Sequence, residues 1–177
     1  MTKQDVRRSV RARIGALSAA ERARLSADLC RRLEATEAWR RARTVLLYAS
    51  LPDEVDTAGL IAAAGRQAKR VVLPVVDGDR LVLRYYEGFA RMAAGRFSIL
   101  EPSDEAEPLA DVARLDLAVI PGRAFTPDGL RLGRGRGYYD RLLPSLCCPT
   151  MGLAFPCQML DTLPTDPWDV RLGAVLW

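Results

Sequence analysis

The chain contains no histidine. That removes the commonest general base and the commonest metal ligand. A Ser-His-Asp triad, a Cys-His dyad and a histidine zinc site are therefore excluded, and any acid–base work falls to Asp, Glu, Lys, Tyr or Cys. Cysteine is scarce. Cys30, Cys147, Cys148 and Cys157 form no CxxC pair, which argues against a zinc ribbon or a thioredoxin-type motif. Adjacent Cys147 and Cys148 do not make a disulfide framework, and small reduced thiols fit a cytoplasmic location. No apolar run approaches the ~20 residues of a membrane span. The opening MTKQDVRRSVRAR lacks the apolar core of a secretory signal. Internal repeats, low-complexity tracts and linkers are also missing.

What is present suits one globular domain spanning residues 1–177. Hydrophobic residues make up 49% of the 177 and charged residues 27%, enough apolar material for one sizeable core. The net charge of +4 suits an anionic partner without choosing among nucleotide, polyanion, nucleic acid and membrane surface.

Val6, Val10 and Ile14 recur every four residues and predict a helix over 2–16. Ser18-Ala-Ala-Glu21 is a capping box that starts a second helix, with Leu25, Leu29 and Leu33 as its apolar stripe. TVLLYAS (44–50) is a buried strand, followed by a helix that Asp56 or Thr57 can cap. RVVLPVV (70–76) and LVLRYY (81–86) are strands joined by an Asp-Gly turn. Residues 87–113 mix Gly, Pro and acids and predict loop with short helical pieces. DLAVIPG (116–122), TMGLAF (150–155) and RLGAVLW (171–177) are further strands, and YYDRLLPSL starts a helix that ends near Pro144. Strands alternating with helices predict an α/β sandwich with a largely parallel sheet and an antiparallel edge. Ligands in such sheets sit beyond the carboxyl ends of the strands.

The chemistry gathers in RLGRGRGYYDR, Arg131 to Arg141. Glycine allows close backbone approach and positive φ. Successive N–H groups in such a loop form an anion nest, and a helix starting behind it adds its positive end. Arg131, Arg134, Arg136 and Arg141 add forked donors suited to phosphate. Asp140 adds an oxygen ligand of the kind that Mg²⁺ takes beside substrate phosphates. The spacing is GxGxG, so the stretch is neither a Walker A loop nor a GxGxxG fingerprint. From these residues alone, phosphate binding leads, with RNA binding and a structural loop as the alternatives.

The same stretch resembles the RLGxGxGYYDR signature of the 5-formyltetrahydrofolate cyclo-ligase family, whose members are also called 5,10-methenyltetrahydrofolate synthetases. Other segments agree in order: KQDVR (3–7), YASLPDEVDT (48–57), RVVLPVV, FSILEP (97–102) and DLAVIPGRAFTPDGLRLG. The resemblance covers nearly the whole chain. It implies a three-layer, Rossmann-like sandwich with a mostly parallel sheet flanked by helices. It also implies ATP- and Mg²⁺-dependent conversion of 5-formyltetrahydrofolate to 5,10-methenyltetrahydrofolate, with release of ADP and phosphate.

Site roles follow from the resemblance position by position. Lys3 and Arg7 match a basic pair that contacts ATP. Arg131, Leu132, Gly133, Arg134, Gly135, Arg136, Gly137, Tyr138 and Tyr139 match the ATP-phosphate loop. Within it, Arg134 to Tyr138 border the reacting formyl group, with Arg134, Arg136 and Tyr138 as the catalytic candidates. Glu54 matches an acid that contacts the folate, Ala49 sits where the folate pocket is lined, and Tyr85 and Phe97 are candidates for apolar contact with it. Asp140 and Asp169 match Mg²⁺ ligands. The tail DPWDVRLGAVLW departs from the family pattern, since Gly173 stands where a second acid is expected. The expected partners are the folate substrate and ATP, with no membrane, no nucleic acid and a monomeric state. The rival reading is a cyclo-ligase-like protein that binds folate or nucleic acid without turnover. Asp140→Ala is expected to abolish turnover with the fold intact, and Gly135→Val to block phosphate approach.

Overall fold

A computed structural model of the chain describes residues 1–95 and 99–177. Helix α1 (Lys3–Ala16) opens the fold with Val6, Val10 and Ile14 buried and a Thr2/Asp5 capping box at its start. The Ser18/Glu21 box starts α2 (Ala19–Glu34). The α2 stripe is turned from expectation: Leu29, Cys30 and Leu33 are buried with Ser26, while Leu25 is only partly buried. A five-residue helix, α3 (Glu37–Arg41), carries the fully buried Trp39. It is too short to leave a periodic pattern.

The central sheet is built from β1 (Thr44–Leu46), β2 (Arg70–Asp77), β3 (Arg80–Tyr85), β6 (Leu117–Ile120), β9 (Thr150–Leu153) and β10 (Ala174–Leu176). Its order is β10-β9-β6-β1-β2-β3. All neighbours run parallel except β2 and β3. The crossover from β1 to β2 passes through α4 (Ala58–Arg66), as parallel strands require a long connection. The β2–β3 turn leaves Gly78 and Asp79 between the paired Asp77 and Arg80, with Gly78 at φ +60°. That places the turn one residue later than Asp77-Gly78.

Strand alternation divides the core in two, because successive side chains point to opposite faces. Val45, Leu47, Val71, Leu73, Leu117 and Val119 pack on one face with residues of α1 to α4. Leu46, Val72, Ala118 and Ile120 pack on the other. There they meet Leu142, Leu143 and Leu146, from α5 (Tyr138–Leu142) and the 3₁₀ turn behind it. This is the three-layer arrangement, with a mostly parallel sheet between helical layers.

Two small additions were not expected from the sequence. In the irregular middle, β4 (Met92–Ala94) pairs antiparallel with β5 (Leu100–Pro102). Behind β6, β7 (Ala124–Phe125) pairs with β8 (Arg131–Leu132). Among the described residues no helix is long and apolar enough to cross a membrane.

Candidate active site

The sheet order reverses direction around β1 and β6, and a crevice opens there beyond the strand ends. Tyr48 and Ala49 follow β1, and Pro121 and Gly122 follow β6. All four line a cavity of about 400 Å³. Pro74 and Val76 of β2 and Leu81 of β3 form an apolar side wall, Ile99 and Glu101 line the cavity as well, and a loop closes it. That loop is the glycine-rich stretch, with Gly133, Arg134, Arg136, Gly137, Tyr138, Tyr139 and Asp140 facing the space.

The loop's shape rests on two glycines. Gly135 has φ +105° and Gly137 has φ +70°, conformations that side-chain-bearing residues rarely adopt. Gly137 caps α5, which is only five residues long before it tightens into a 3₁₀ turn at Leu143–Ser145. Backbone ties fix the loop at both ends. Arg7 Nε donates to the Gly133 carbonyl at 2.9 Å, and Arg141 Nη2 donates to the Arg136 carbonyl at 3.0 Å. Leu132 differs from its neighbours: its side chain is buried in the core and only its backbone borders the loop.

Arg131 lies behind the loop, buried, with Nη1 donating to the Pro121 carbonyl at 3.0 Å and Nη2 to Asp140. Burial lowers its pKa, and the Asp140 carboxylate offsets that effect. Its Nε is buried without a hydrogen-bond partner. Tyr139 lies beside it, with the guanidinium 5.8 Å from the ring centroid. Burial pushes the Tyr139 phenol far above its ordinary range, so it serves as a hydroxyl and not as a base. Tyr138 lines the cavity with the Arg141 guanidinium 5.7 Å from its ring.

Arg134 reaches across the cavity mouth to the β1 loop. Its Nε donates to Glu54 Oε1 at 2.8 Å and its Nη2 to Asp53. Glu54 also accepts from the Leu51 N–H at 2.9 Å, which holds its carboxylate against the cavity wall. Partial burial opposes the Arg134 charge, and the Glu54 and Asp53 carboxylates outweigh it and raise its pKa.

Lys3 and Asp169 meet each other rather than the cavity. Lys3 Nζ lies 2.7 Å from both Asp166 Oδ2 and Asp169 Oδ2. Tyr85 also lies away from the cavity: it is buried, with the Arg70 guanidinium 3.5 Å from its ring, on a separate hollow beside Lys69 and Tyr86. The β2–β3 register sets it opposite Val72, on the same sheet face as Pro74 and Val76 but at the other end of β2. Phe97 lies outside the described residues. Gly173 packs its backbone on β9, its N–H donating to Thr150 Oγ1 at 3.0 Å.

The residues meet the needs of a hard cation in part. Among the described residues no three His, Cys, Asp or Glu side chains converge as a metal cage. Mg²⁺ needs only one or two carboxylates when phosphate oxygens and water supply the rest. Asp140, on the cavity wall beside the loop, fits that role. Asp169 Oδ2 is engaged by Lys3 and by the Asp166 N–H.

Sequence reasoning passed over Asp53, Arg123, Tyr48 and Glu101. The first two are joined, Arg123 Nη1 donating to Asp53 Oδ2 at 2.7 Å. Both follow the carboxyl ends of neighbouring strands, and that shared placement was the available signal.

Comparison with known proteins agrees with this geometry. The 5-formyltetrahydrofolate cyclo-ligase family matches residues 1–177. The 5-formyltetrahydrofolate cyclo-ligase of Escherichia coli strain K12 is 36% identical over 142 residues, covering 76% of this chain and 78% of that protein. The Mus musculus protein of the same name is 32% identical, covering 99% and 93%. The solved structure of Aquifex aeolicus 5,10-methenyltetrahydrofolate synthetase superposes with a TM-score of 0.88 at 33% identity, covering 99% of this chain and 89% of that one. Matched over its whole length in sequence and nearly so in fold, this chain belongs to the 5-formyltetrahydrofolate cyclo-ligase family.

Proposed function

We propose that this chain, acting as one domain in the cytoplasm, converts 5-formyltetrahydrofolate to 5,10-methenyltetrahydrofolate, with ATP becoming ADP and phosphate. The observation that carries the reading is the meeting of two unlike walls in one cavity: the arginine–glycine loop on one side, and Glu54 with the apolar residues beyond β1, β2 and β3 on the other. The first suits phosphate and the second a flat heterocycle with a polar edge. The Glu54 carboxylate pairs with the amino-pyrimidine edge of the pterin, and Ala49 leaves room beside it.

A formamide oxygen is a poor leaving group. Transfer of the γ-phosphoryl group to it makes an imidate phosphate. The folate's own bridge nitrogen then attacks the formyl carbon and loses its proton to water, and phosphate departs with the original oxygen. The nucleophile is built into the substrate, so the protein positions reactants and stabilises charge. No protein nucleophile is required, which accords with a chain that lacks histidine. Arg134 and Arg136 neutralise the transferring group, Tyr138 borders it, and Gly133, Gly135 and Gly137 offer backbone N–H groups to the phosphates. Arg7 supports the loop from α1, and Lys3 on the same helix reaches the phosphates once it leaves Asp166 and Asp169. Mg²⁺ would be held by Asp140, with Asp169 as the second candidate, and would supply charge neutralisation to the phosphates.

The test is absorbance at the methenyl-folate band with purified protein, 5-formyltetrahydrofolate, ATP and Mg²⁺. A rise that needs both ATP and Mg²⁺ and fails in Arg134→Ala supports the reading. No rise, with folate or nucleotide still bound, overturns turnover and leaves binding alone.

A further inference from the structure

Arg134 has two carboxylate partners, and they are anchored differently. Glu54 lines the cavity and is the residue given to the folate above. Asp53 does not line the cavity. One Asp53 oxygen accepts from Arg134 and the other from Arg123 Nη1. The Arg123 side chain is only 7% exposed. Its own backbone is pinned: Gln158 Nε2 donates to the Gly122 carbonyl at 3.0 Å and the Arg123 carbonyl at 3.1 Å. Gln158 Oε1 in turn accepts from the Phe155 N–H at 2.8 Å, and Gln158 is itself buried. Arg123 is therefore fixed to the segments behind β6 and β9, at the middle of the sheet. Burial opposes the charge on Asp53, and the two arginines outweigh it and lower its pKa.

We propose that Arg123 and Asp53 are positioning residues that keep Arg134 over the reacting group when Glu54 exchanges Arg134 for the folate. Resting on the folate reading of the cavity, the proposal divides the partners of Arg134 into an exchangeable one and a fixed one. The ties from Arg7 and Arg141 hold loop backbone, and the Arg134 side chain is left to the two carboxylates. A buried arginine beside a sheet's ligand crevice, spent on a carboxylate that does not face the ligand, has this task as its clearest use.

The experiment reads the Arg134 side chain without relying on turnover. The order parameter of its Nε–H bond is measured by ¹⁵N relaxation in the ligand-free protein. Glu54→Ala imitates release of the exchangeable partner, and the bond is expected to stay ordered. Adding Asp53→Asn, or Arg123→Met, is expected to drop it to the value of an exposed arginine, with Arg123→Lys intermediate. Kinetically, Asp53→Asn is expected to lower kcat about tenfold with a smaller change in KM. Disorder in Glu54→Ala alone, or order that survives loss of Asp53, overturns the proposal. Should Arg123→Met fail to fold, Asp53→Asn alone gives both readouts. A wild-type protein with no ATP-dependent turnover would overturn the function while the relaxation measurement still decides the anchor.

Discussion

Arg131 and Asp140 hold each other at the root of the glycine loop, the arginine's Nη2 donating to Asp140 Oδ1 while its side chain stays 3% exposed. Asp140 therefore has two tasks, facing the cavity as a carboxylate and compensating a buried guanidinium.

Asp140→Ala is expected to unsettle the fold as well as stop turnover, which revises the expectation of an intact fold. Removing one partner of a buried pair costs about 3–5 kcal/mol, and Arg131 would keep only the Pro121 carbonyl. For a chain of this size that is a fall in Tm of roughly 6–20 °C. Asp140→Asn retains an acceptor and should recover most of the loss while remaining inactive. Thermal denaturation of both variants beside the methenyl absorbance assay checks this. An alanine variant as stable as wild type would show that Arg131 does not depend on Asp140.

Gly135→Val is expected to weaken ATP binding about tenfold, through backbone strain and not bulk. A Cβ at Gly135 would meet nothing closer than the Arg7 guanidinium carbon at 3.5 Å, an ordinary contact, but φ there is +105°. Strain of that kind is worth about 1–3 kcal/mol. Gly135→Ala should therefore lose nearly as much affinity as Gly135→Val. Nucleotide titration decides: wild-type affinity in the alanine variant would point to bulk instead.

The layers of the fold were legible because they follow from short-range rules. Val6, Val10 and Ile14 repeat with the helical period, Ser18 opens its helix through a capping box, and the strands alternate between two cores. The loop was legible because its glycines and arginines are adjacent in the chain. What stayed hidden joins residues far apart in sequence. Lys3 meets Asp166 and Asp169 across the length of the chain, and Arg134 meets Asp53 and Glu54 some 80 residues upstream. No local pattern encodes such pairs. At close range the sequence left two cap candidates for α4, and Asp56 Oδ1 takes the Ala58 N–H at its start while the Thr57 hydroxyl donates to the Tyr48 carbonyl.

Gly173→Asp, which would match the family's tail pattern, is expected to destabilise the protein without strengthening Mg²⁺ dependence. A Cβ at this position would lie 3.2 Å from the Thr150 carbonyl oxygen, and the N–H is already bonded to Thr150 Oγ1. Overpacking of this sort costs about 1–3 kcal/mol. Melting curves and a Mg²⁺ titration of the rate check it. A lower Mg²⁺ requirement in the variant would show that the missing acid matters after all.

The clasp of Lys3 between Asp166 and Asp169 predicts a pH window. Burial opposes charge on both sides, and the mutual hydrogen bonds outweigh it, lowering the pKa of Asp169 and raising that of Lys3. A depressed carboxyl pKa contributes stability that is present above the unfolded value of about 3.9 and is lost as pH falls through the folded value. A raised lysine pKa contributes stability that is present below about 10.4 and is lost as pH rises through the folded value. Lys3→Met is therefore expected to lower Tm most near neutral pH, with the gap to wild type closing as pH falls below the ordinary carboxylate range and as it rises above the ordinary lysine range. The pair is partly exposed, so the gap should be small, about 1 kcal/mol or ~3 °C. A gap that is constant across pH would show that Lys3 contributes packing and not charge.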